Sequence, residues 1–122
     1  MCYVFVYGTL LPGERNHHIA APYVTAEPKA GAVRGWLYDY GPYPGLVLDK
    51  AAPPVEGVWL KVTEEGLAAM DALEEYFGPS HPGNDYERVE AEDAASDMRG
   101  WVYVWADSRG CPLISCGSWR KR

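Results

Sequence analysis

Short segments of alternating or continuous apolar residues recur along this chain, and most are bounded by glycine or proline. The first, Tyr3 to Tyr7, is a run of β-branched and aromatic side chains that stops at Gly8, which predicts a buried strand. The same patterning predicts five further strands: Val33 to Tyr40, Leu46 to Leu48, Val55 to Val62, Tyr86 to Glu92 and Arg99 to Trp105. The last two are expected to pair as a hairpin, because only residues 93–98 separate them.

One segment has the helical period instead. Thr63 is placed to cap a helix that begins with two glutamates and continues through good helix formers to Glu75. Glu74 lies seven residues, or two helical turns, beyond Leu67, so it shares the apolar face of that helix. Glu75 is rotated by about 100° from Glu74 and is expected to lean toward solvent.

About six strands and one substantial helix indicate an α+β fold, namely a small mixed β-barrel or curled sheet with one main flanking helix and short helical turns. At 122 residues, a single domain over residues 1–122 is expected. One short helical turn is predicted after Asn16, a possible cap. Residues 41–45, with two prolines and two glycines, predict a loop, and the pattern of residues 111–119 indicates weak structure.

Composition narrows the possible partners and compartment. A net charge of −6 and a pI near 4.9 argue against nucleic-acid binding, which needs a basic patch. No apolar run reaches 18 residues, so no membrane partner is expected. The N-terminus lacks the basic and apolar regions of a secretory leader, which favours a cytoplasmic protein.

Cysteines and histidines give no clear site. Cys2, Cys111 and Cys116 are an odd number without CxxC spacing, which favours reduced thiols over a disulfide framework. The adjacent His17 and His18 cannot easily face one metal ion, and no cluster of other ligands accompanies them, so no metal site is predicted.

The turn after the first strand is one candidate for chemistry. The N–H groups of Gly8, Thr9 and Leu10 leave the strand ladder and need other partners. A row of free amide donors can hold an anion or a developing oxyanion. Gly8 can adopt backbone angles closed to other residues and has no side chain, so a ligand can approach it. On these residues alone, a strand that runs into an ordinary turn is the simpler explanation.

Glu74 is the other candidate. Carboxylates are seldom buried without a partner, and desolvation raises the carboxyl pKa toward the range that a general acid/base needs near pH 7. The alternative is a glutamate that turns outward or pairs with Arg88 or Arg15. A glycosidase pair with Asp71 is a weak explanation, because neighbours on one helix do not flank a scissile bond from opposite sides.

Six motifs occur in order between residues 3 and 119: Val4 to Gly13, Asn16-His17-His18, Tyr43 to Val47, Val55 to Val58, Met70 to Glu74 and Tyr86-Glu87-Arg88. Together they resemble the γ-glutamylcyclotransferase-like superfamily. The most similar branch is the small single-domain group of γ-glutamylamine cyclotransferases and AIG2-like proteins.

The resemblance implies a pocket at the mouth of a small β-barrel. It implies that the loop Tyr7-Gly8-Thr9-Leu10 binds a γ-glutamyl or 5-oxoproline group, largely through its backbone, and that Glu74 is the acid/base. Tyr7, Tyr43 and Tyr103 are candidates for the pocket walls, although a purely structural role in the core also explains them. The chain departs from the family in having Glu75 where a glycine is usual. A family-like C-terminal Ser-Gly-Asp-Trp appears here as Ser115-Cys116-Gly117-Ser118-Trp119.

The reaction implied by the resemblance is an intramolecular cyclisation that releases 5-oxoproline and a free amine or amino acid from a small γ-glutamyl compound. It requires no metal or organic cofactor, and a monomer or weak homodimer is expected. Two alternatives stay open. One is a non-enzymatic ligand-binding or accessory module of the same fold. The other is the same chemistry used to remove a γ-glutamyl group from an antibiotic or another side chain.

Overall fold

The computed structural model of this protein describes all residues from 1 to 122, and six strands and two helices make up its regular structure. The strands are β1 (Cys2–Val6), β2 (Lys29–Asp39), β3 (Pro44–Leu48), β4 (Pro54–Val62), β5 (Glu87–Glu92) and β6 (Arg99–Val104). The helices are α1 (His17–Ala20) and α2 (Glu64–Leu73), and a 3₁₀ turn, Ala21–Tyr23, follows α1. Every predicted strand and the predicted main helix is therefore confirmed, with shifted boundaries.

The six strands form one mixed sheet in the order β3-β2-β4-β1-β6-β5. β1 lies near its centre, antiparallel to β4 and parallel to β6, and the predicted β5–β6 hairpin is confirmed. The sheet curls until its two sides meet near the end of β6, where the Trp105 N–H donates to the Leu46 carbonyl oxygen at 2.9 Å. This half-barrel confirms the predicted α+β class.

The alternation along β1 divides the core between the two faces of the sheet. Val4 and Val6 pack in a cluster with Met70 of α2. Phe5 belongs to a second cluster on the other face and contacts Trp59, with ring centroids 5.1 Å apart. Successive side chains of a strand point to opposite faces, and each large apolar side chain buried this way contributes about 1.5–3 kcal/mol. Burial on both faces fixes the position of β1 and of the turn that follows it.

Helix α2 begins as predicted but ends earlier. The Thr63 hydroxyl accepts a hydrogen bond from the Gly66 N–H at 3.2 Å, so the predicted N-cap is confirmed. The last helical residue is Leu73, and Glu74 is the C-cap rather than part of a longer helix. The backbone of Glu74 has already left the helical conformation, with φ of −83° and ψ of 2°, but its side chain still lines the pocket beside the end of β1. With ten residues, α2 is the longest helix, and no helix here could span a bilayer.

Three local predictions were wrong in detail. The predicted loop at 41–45 ends early, because Pro44 and Gly45 already pair with β2 as the start of β3. Asn16 precedes α1 but makes no side-chain cap. The C-terminal segment is not weakly structured, since Ile114 and Trp119 are buried in the core. Pairing with a neighbouring strand and burial of two large side chains outweighed the local composition in these segments.

Candidate functional site

The turn after β1 presents three backbone N–H groups that have no acceptor within the chain. The N–H groups of Gly8, Thr9 and Leu10, here called the amide loop, donate no hydrogen bond to another backbone or side-chain group. The carbonyls of the same turn are engaged, because the Gly8 oxygen accepts from the Leu11 N–H at 3.1 Å and the Thr9 oxygen from the Asn16 N–H at 2.9 Å. The Asn16 side chain also donates to the Thr9 hydroxyl, at 3.0 Å. These bonds fix the turn while its donors stay free and line a pocket.

Gly8 is required at this turn for space rather than for backbone conformation. Its φ is not positive, so the expectation that it uses angles closed to other residues was wrong. A Cβ atom at this position would lie 2.6 Å from Cγ of Pro44, well inside van der Waals contact. Gly8 therefore lets the first residue of β3 pack directly against the amide loop, and this contact forms one side of the pocket.

Glu74 lines the same pocket from the end of α2. Its backbone N–H donates to the Met70 carbonyl oxygen at 2.9 Å, which places the side chain over the end of β1. Burial raises the pKa of the Glu74 carboxyl from its usual 4.5 to about 8, and the negative charge of Asp85 adds to the rise. A carboxyl with such a pKa can both take and give a proton near neutral pH.

No cation pairs with Glu74. Arg88, one suggested partner, forms its ion pair with Asp71 at 2.6 Å. Arg15, the other, donates to the carbonyl oxygen of Pro42. The two residues that could have neutralised Glu74 are thus committed elsewhere, and the raised pKa persists for that reason.

Four tyrosines form the walls of the pocket, and each phenolic proton already has an acceptor. Tyr7 donates to the Tyr103 carbonyl oxygen at 2.7 Å and also accepts from the Leu46 N–H, at the closure of the half-barrel. Tyr86 donates to the Pro44 carbonyl oxygen at 2.6 Å. The other two donate to carboxylates: Tyr43 to Asp85 at 3.2 Å and Tyr103 to Asp71 at 2.6 Å.

Burial raises the pKa of each of these four hydroxyls, to about 12 for Tyr43, where the charge of Asp85 adds to the effect. The phenols are therefore neutral at physiological pH. Because their protons are engaged, they shape and desolvate the pocket, while the three N–H groups of the amide loop are free to donate hydrogen bonds.

All residues singled out from the sequence line this one pocket: Tyr7, Gly8, Thr9, Leu10, Tyr43, Glu74 and Tyr103. Sequence reasoning missed Tyr86 and Pro44 as lining residues, although both stand in quoted motifs. It also missed Asp85, whose only sequence signal was its position next to Tyr86. Their proximity to the pocket depends on how β3 and β5 meet the turn after β1.

Glu75 adopts a left-handed backbone conformation, with φ of 52°, and its side chain is exposed as expected. A residue that ends a helix in this conformation is most often glycine, because a Cβ atom there costs about 1–2 kcal/mol. This backbone conformation would explain a glycine here, as the family resemblance implies. Burial and Asp85, rather than Glu75, account for the raised pKa of Glu74.

We expect Glu75→Gly to stabilise the protein by about 1 kcal/mol, because it relieves the left-handed strain, and to leave turnover unchanged. Urea denaturation of the variant and the wild-type protein measures this difference. Equal or lower stability of the variant would contradict this explanation of residue 75.

The histidines and cysteines do not converge. Nδ1 of His17 contacts the Leu10 carbonyl oxygen at 2.9 Å, and Nδ1 of His18 contacts the Arg15 carbonyl oxygen at 3.0 Å. No group of three or more histidine, cysteine or acidic side chains is arranged to hold a metal ion. All three cysteines are free thiols.

Comparison with known proteins shows what this chain is similar to. A protein of Vibrio cholerae, provisionally named a gamma-glutamylcyclotransferase, is 33% identical over an alignment that covers 98% of this chain and 96% of that protein. The Gamma-L-glutamyl-butirosin B gamma-glutamyl cyclotransferase of Niallia circulans is 41% identical over 105 residues. That match covers 84% of this chain and 65% of the enzyme, so the chain spans just under two thirds of this relative.

The fold has solved counterparts as well. An AIG2-like protein from Mus musculus superposes with a TM-score of 0.71 over 97% of this chain and 87% of that one, and its 24% identity shows a shared fold. A family model described as Gamma-glutamyl cyclotransferase, AIG2-like, matches residues 4–121. The chain therefore belongs to the AIG2-like gamma-glutamyl cyclotransferase family.

Proposed function

We propose that this protein is an intramolecular cyclotransferase that converts a γ-glutamyl compound into 5-oxoproline and a free amine or amino acid. The observation that carries the proposal is a single unpaired carboxyl, Glu74, which shares a pocket with the free donors of the amide loop. Family membership supports an enzymatic function for a chain that retains both features.

In the proposed reaction, the α-amino nitrogen of the substrate attacks its own γ-carbonyl carbon, and the bond to the leaving nitrogen breaks. Nucleophile and electrophile belong to one molecule, so the protein's main contribution is to hold the chain in the folded, attack-ready shape. The tyrosine walls and the Gly8–Pro44 contact keep the pocket narrow, which favours such a bent substrate.

Glu74 carries the protons in this scheme. Ring closure turns an α-ammonium group into a lactam N–H, so two protons leave that nitrogen, and the released amine gains two. Ionised Glu74 takes a proton from the ammonium group and gives it to the leaving nitrogen as the carbon–nitrogen bond breaks. It relays the second proton, from the ring nitrogen to the released amine, in the same way. Each complete relay returns the carboxylate to its ionised state, so one residue serves as both base and acid.

In this scheme the amide loop binds the negatively charged groups of the substrate and of the intermediate. Its N–H groups can bind the substrate carboxylate or the oxygen of the tetrahedral intermediate, and removal of one such donor typically raises a barrier by about 3 kcal/mol. Because these donors belong to a turn fixed by its own hydrogen bonds, little reorganisation accompanies the reaction.

The pH dependence of kcat/KM should report the titration of Glu74. Its raised pKa means that the ionised, base-competent form is lost as the pH falls below about 8, so kcat/KM should rise with pH through that region. Asp85→Asn removes the neighbouring charge that contributes to the rise, and we expect the acidic limb of the variant to lie at lower pH. An acidic limb near pH 4.5 in the wild-type protein would contradict the proposed environment of Glu74.

The Niallia circulans relative is named for action on a γ-glutamyl derivative of butirosin. We propose by analogy that the leaving amine here can be larger than an amino acid, as when a γ-glutamyl group is removed from another molecule. Incubation of the protein with a panel of γ-glutamyl amines, amino acids and peptides, with 5-oxoproline quantified in each, tests the proposal. Binding of these compounds without 5-oxoproline release from any of them would favour a non-enzymatic ligand-binding module.

A further inference from the structure

Three side chains form a partly buried polar network beside the pocket. Asp71, on the last turn of α2, accepts two hydrogen bonds from Nη1 of Arg88, at 2.6 and 2.9 Å. Its Oδ1 also accepts from the hydroxyl of Tyr103, at 2.6 Å. Arg88 belongs to β5 and Tyr103 to β6, so the network ties the end of the helix to two neighbouring strands.

Two aromatic rings contact the guanidinium of Arg88, in addition to its ion pair with Asp71. Its guanidinium carbon lies 5.0 Å from the ring centroid of Tyr76 and 4.6 Å from that of Trp101. Only 17% of its side chain is exposed. A planar guanidinium held between two rings and bonded to a carboxylate has little freedom, and this rigidity extends to Asp71.

The network surrounds the segment that carries Glu74. Asp71 precedes Glu74 by three residues and Tyr76 follows it by two, and the Tyr76 N–H donates to the Asp71 carbonyl oxygen at 2.9 Å. The Glu74 carboxyl itself has no hydrogen-bond partner. The direction of the Glu74 side chain is therefore set by the backbone on either side of it. That backbone leaves the helical conformation at Glu74 and is left-handed at Glu75.

We infer that Asp71, Arg88 and Tyr103 are positioning residues, which lock the end of α2 onto the β5–β6 hairpin so that Glu74 faces the amide loop. The inference rests on the proposed function and adds a role for residues that do not themselves transfer protons. Placement of a reacting group within a fraction of an ångström matters, because a displacement of 1 Å can cost about 100-fold in rate.

Asp71→Asn tests the inference. The substitution keeps the size of the side chain but removes its charge and one of its two acceptor oxygens. With the most active γ-glutamyl compound from the panel, we expect kcat to fall by about 10- to 100-fold. KM should change by no more than about twofold, since the amide loop and the other pocket walls are untouched.

Asp93→Asn is the matched control. Asp93 is also a partly buried carboxylate, and it accepts from the Ala32 N–H at 2.9 Å and from Nε1 of Trp59 at 3.0 Å. It lies at the opposite end of the β5–β6 hairpin, so its loss should lower stability while kcat stays within about twofold of wild type. A similar fall of kcat in both variants, or wild-type kcat in Asp71→Asn, would overturn the inference.

Tyr103→Phe provides a second test that perturbs folding less, because it removes one hydroxyl and leaves the ring in the pocket. We expect the same selective fall of kcat, and an unchanged kcat would count against the network.

Glu74→Gln separates the inference from the proposal on which it rests. If Glu74→Gln stays active, the proposed function fails; if it is inactive while both network variants turn over normally, only the positioning role fails.

Discussion

Replacement of Glu74 by glutamine is expected to abolish 5-oxoproline release while the protein still folds and binds ligand. Glutamine keeps the size and shape of the side chain but cannot accept the proton of the substrate ammonium group. Loss of a general acid/base typically costs about 10²- to 10⁴-fold in rate, and here no other carboxyl and no imidazole lines the pocket. Initial rates of 5-oxoproline formation and the Kd of 5-oxoproline measure the two parts of this prediction.

Glu75→Gln is the control for this substitution. It makes the same chemical change one residue later, at an exposed side chain that lies outside the pocket. We expect it to retain wild-type rates. Equal rates for Glu74→Gln and the wild-type protein would show that the base has been assigned to the wrong residue.

Gly8→Ala is expected to have the second largest effect, on stability and activity together. The new methyl carbon would lie 2.6 Å from Cγ and 2.7 Å from Cδ of Pro44, and a proline ring at the start of a paired strand has little room to move. Overpacking of this kind typically costs about 1–3 kcal/mol of folding free energy. Because the clash displaces the amide loop from its place opposite Glu74, kcat/KM should fall by about 100-fold.

Gly31→Ala separates the loss of activity from the loss of stability. An added Cβ there would lie 2.5 Å from Oδ1 of Asp93 and 2.7 Å from Cδ1 of Trp59, a comparable overlap outside the pocket. Urea denaturation should show that both variants are destabilised, and kinetics should show that Gly8→Ala alone loses kcat/KM. Wild-type kinetics for a folded Gly8→Ala protein would remove the amide loop from the proposed mechanism.

The elements of this fold could be predicted because their local signals agree with their tertiary environments. β1 is apolar throughout and is buried on both faces, and the alternation of β5 matches an edge strand whose alternate residues are exposed. Thr63 and the two glutamates after it give α2 the start that their chemistry favours. In such segments propensity, pattern and packing point to the same structure.

The features that could not be predicted depend on contacts between distant segments. A glutamate on the apolar side of a helix indicates burial, but the pattern does not show whether it has a charged partner. Arg88 was a candidate partner for Glu74, and in the structure it pairs instead with Asp71, 17 residues away in the sequence. The need for glycine at residue 8 arises from Pro44, a contact that no local pattern contains. The same holds for the C-terminal segment, where the Gly117 carbonyl oxygen accepts from the Glu56 N–H at 2.8 Å.

Direct titration of the Glu74 carboxyl is the measurement closest to the central claim, which is that one unpaired, partly buried acid serves as the proton carrier. Carbon-13 NMR of protein labelled at the glutamate side chains, with Glu74→Gln used to assign the signal, follows this group alone. We expect its pKa near 8, with the acidic limb of the kcat/KM profile at the same pH. A titration near 4.5, the usual value for an exposed glutamate, would contradict the account.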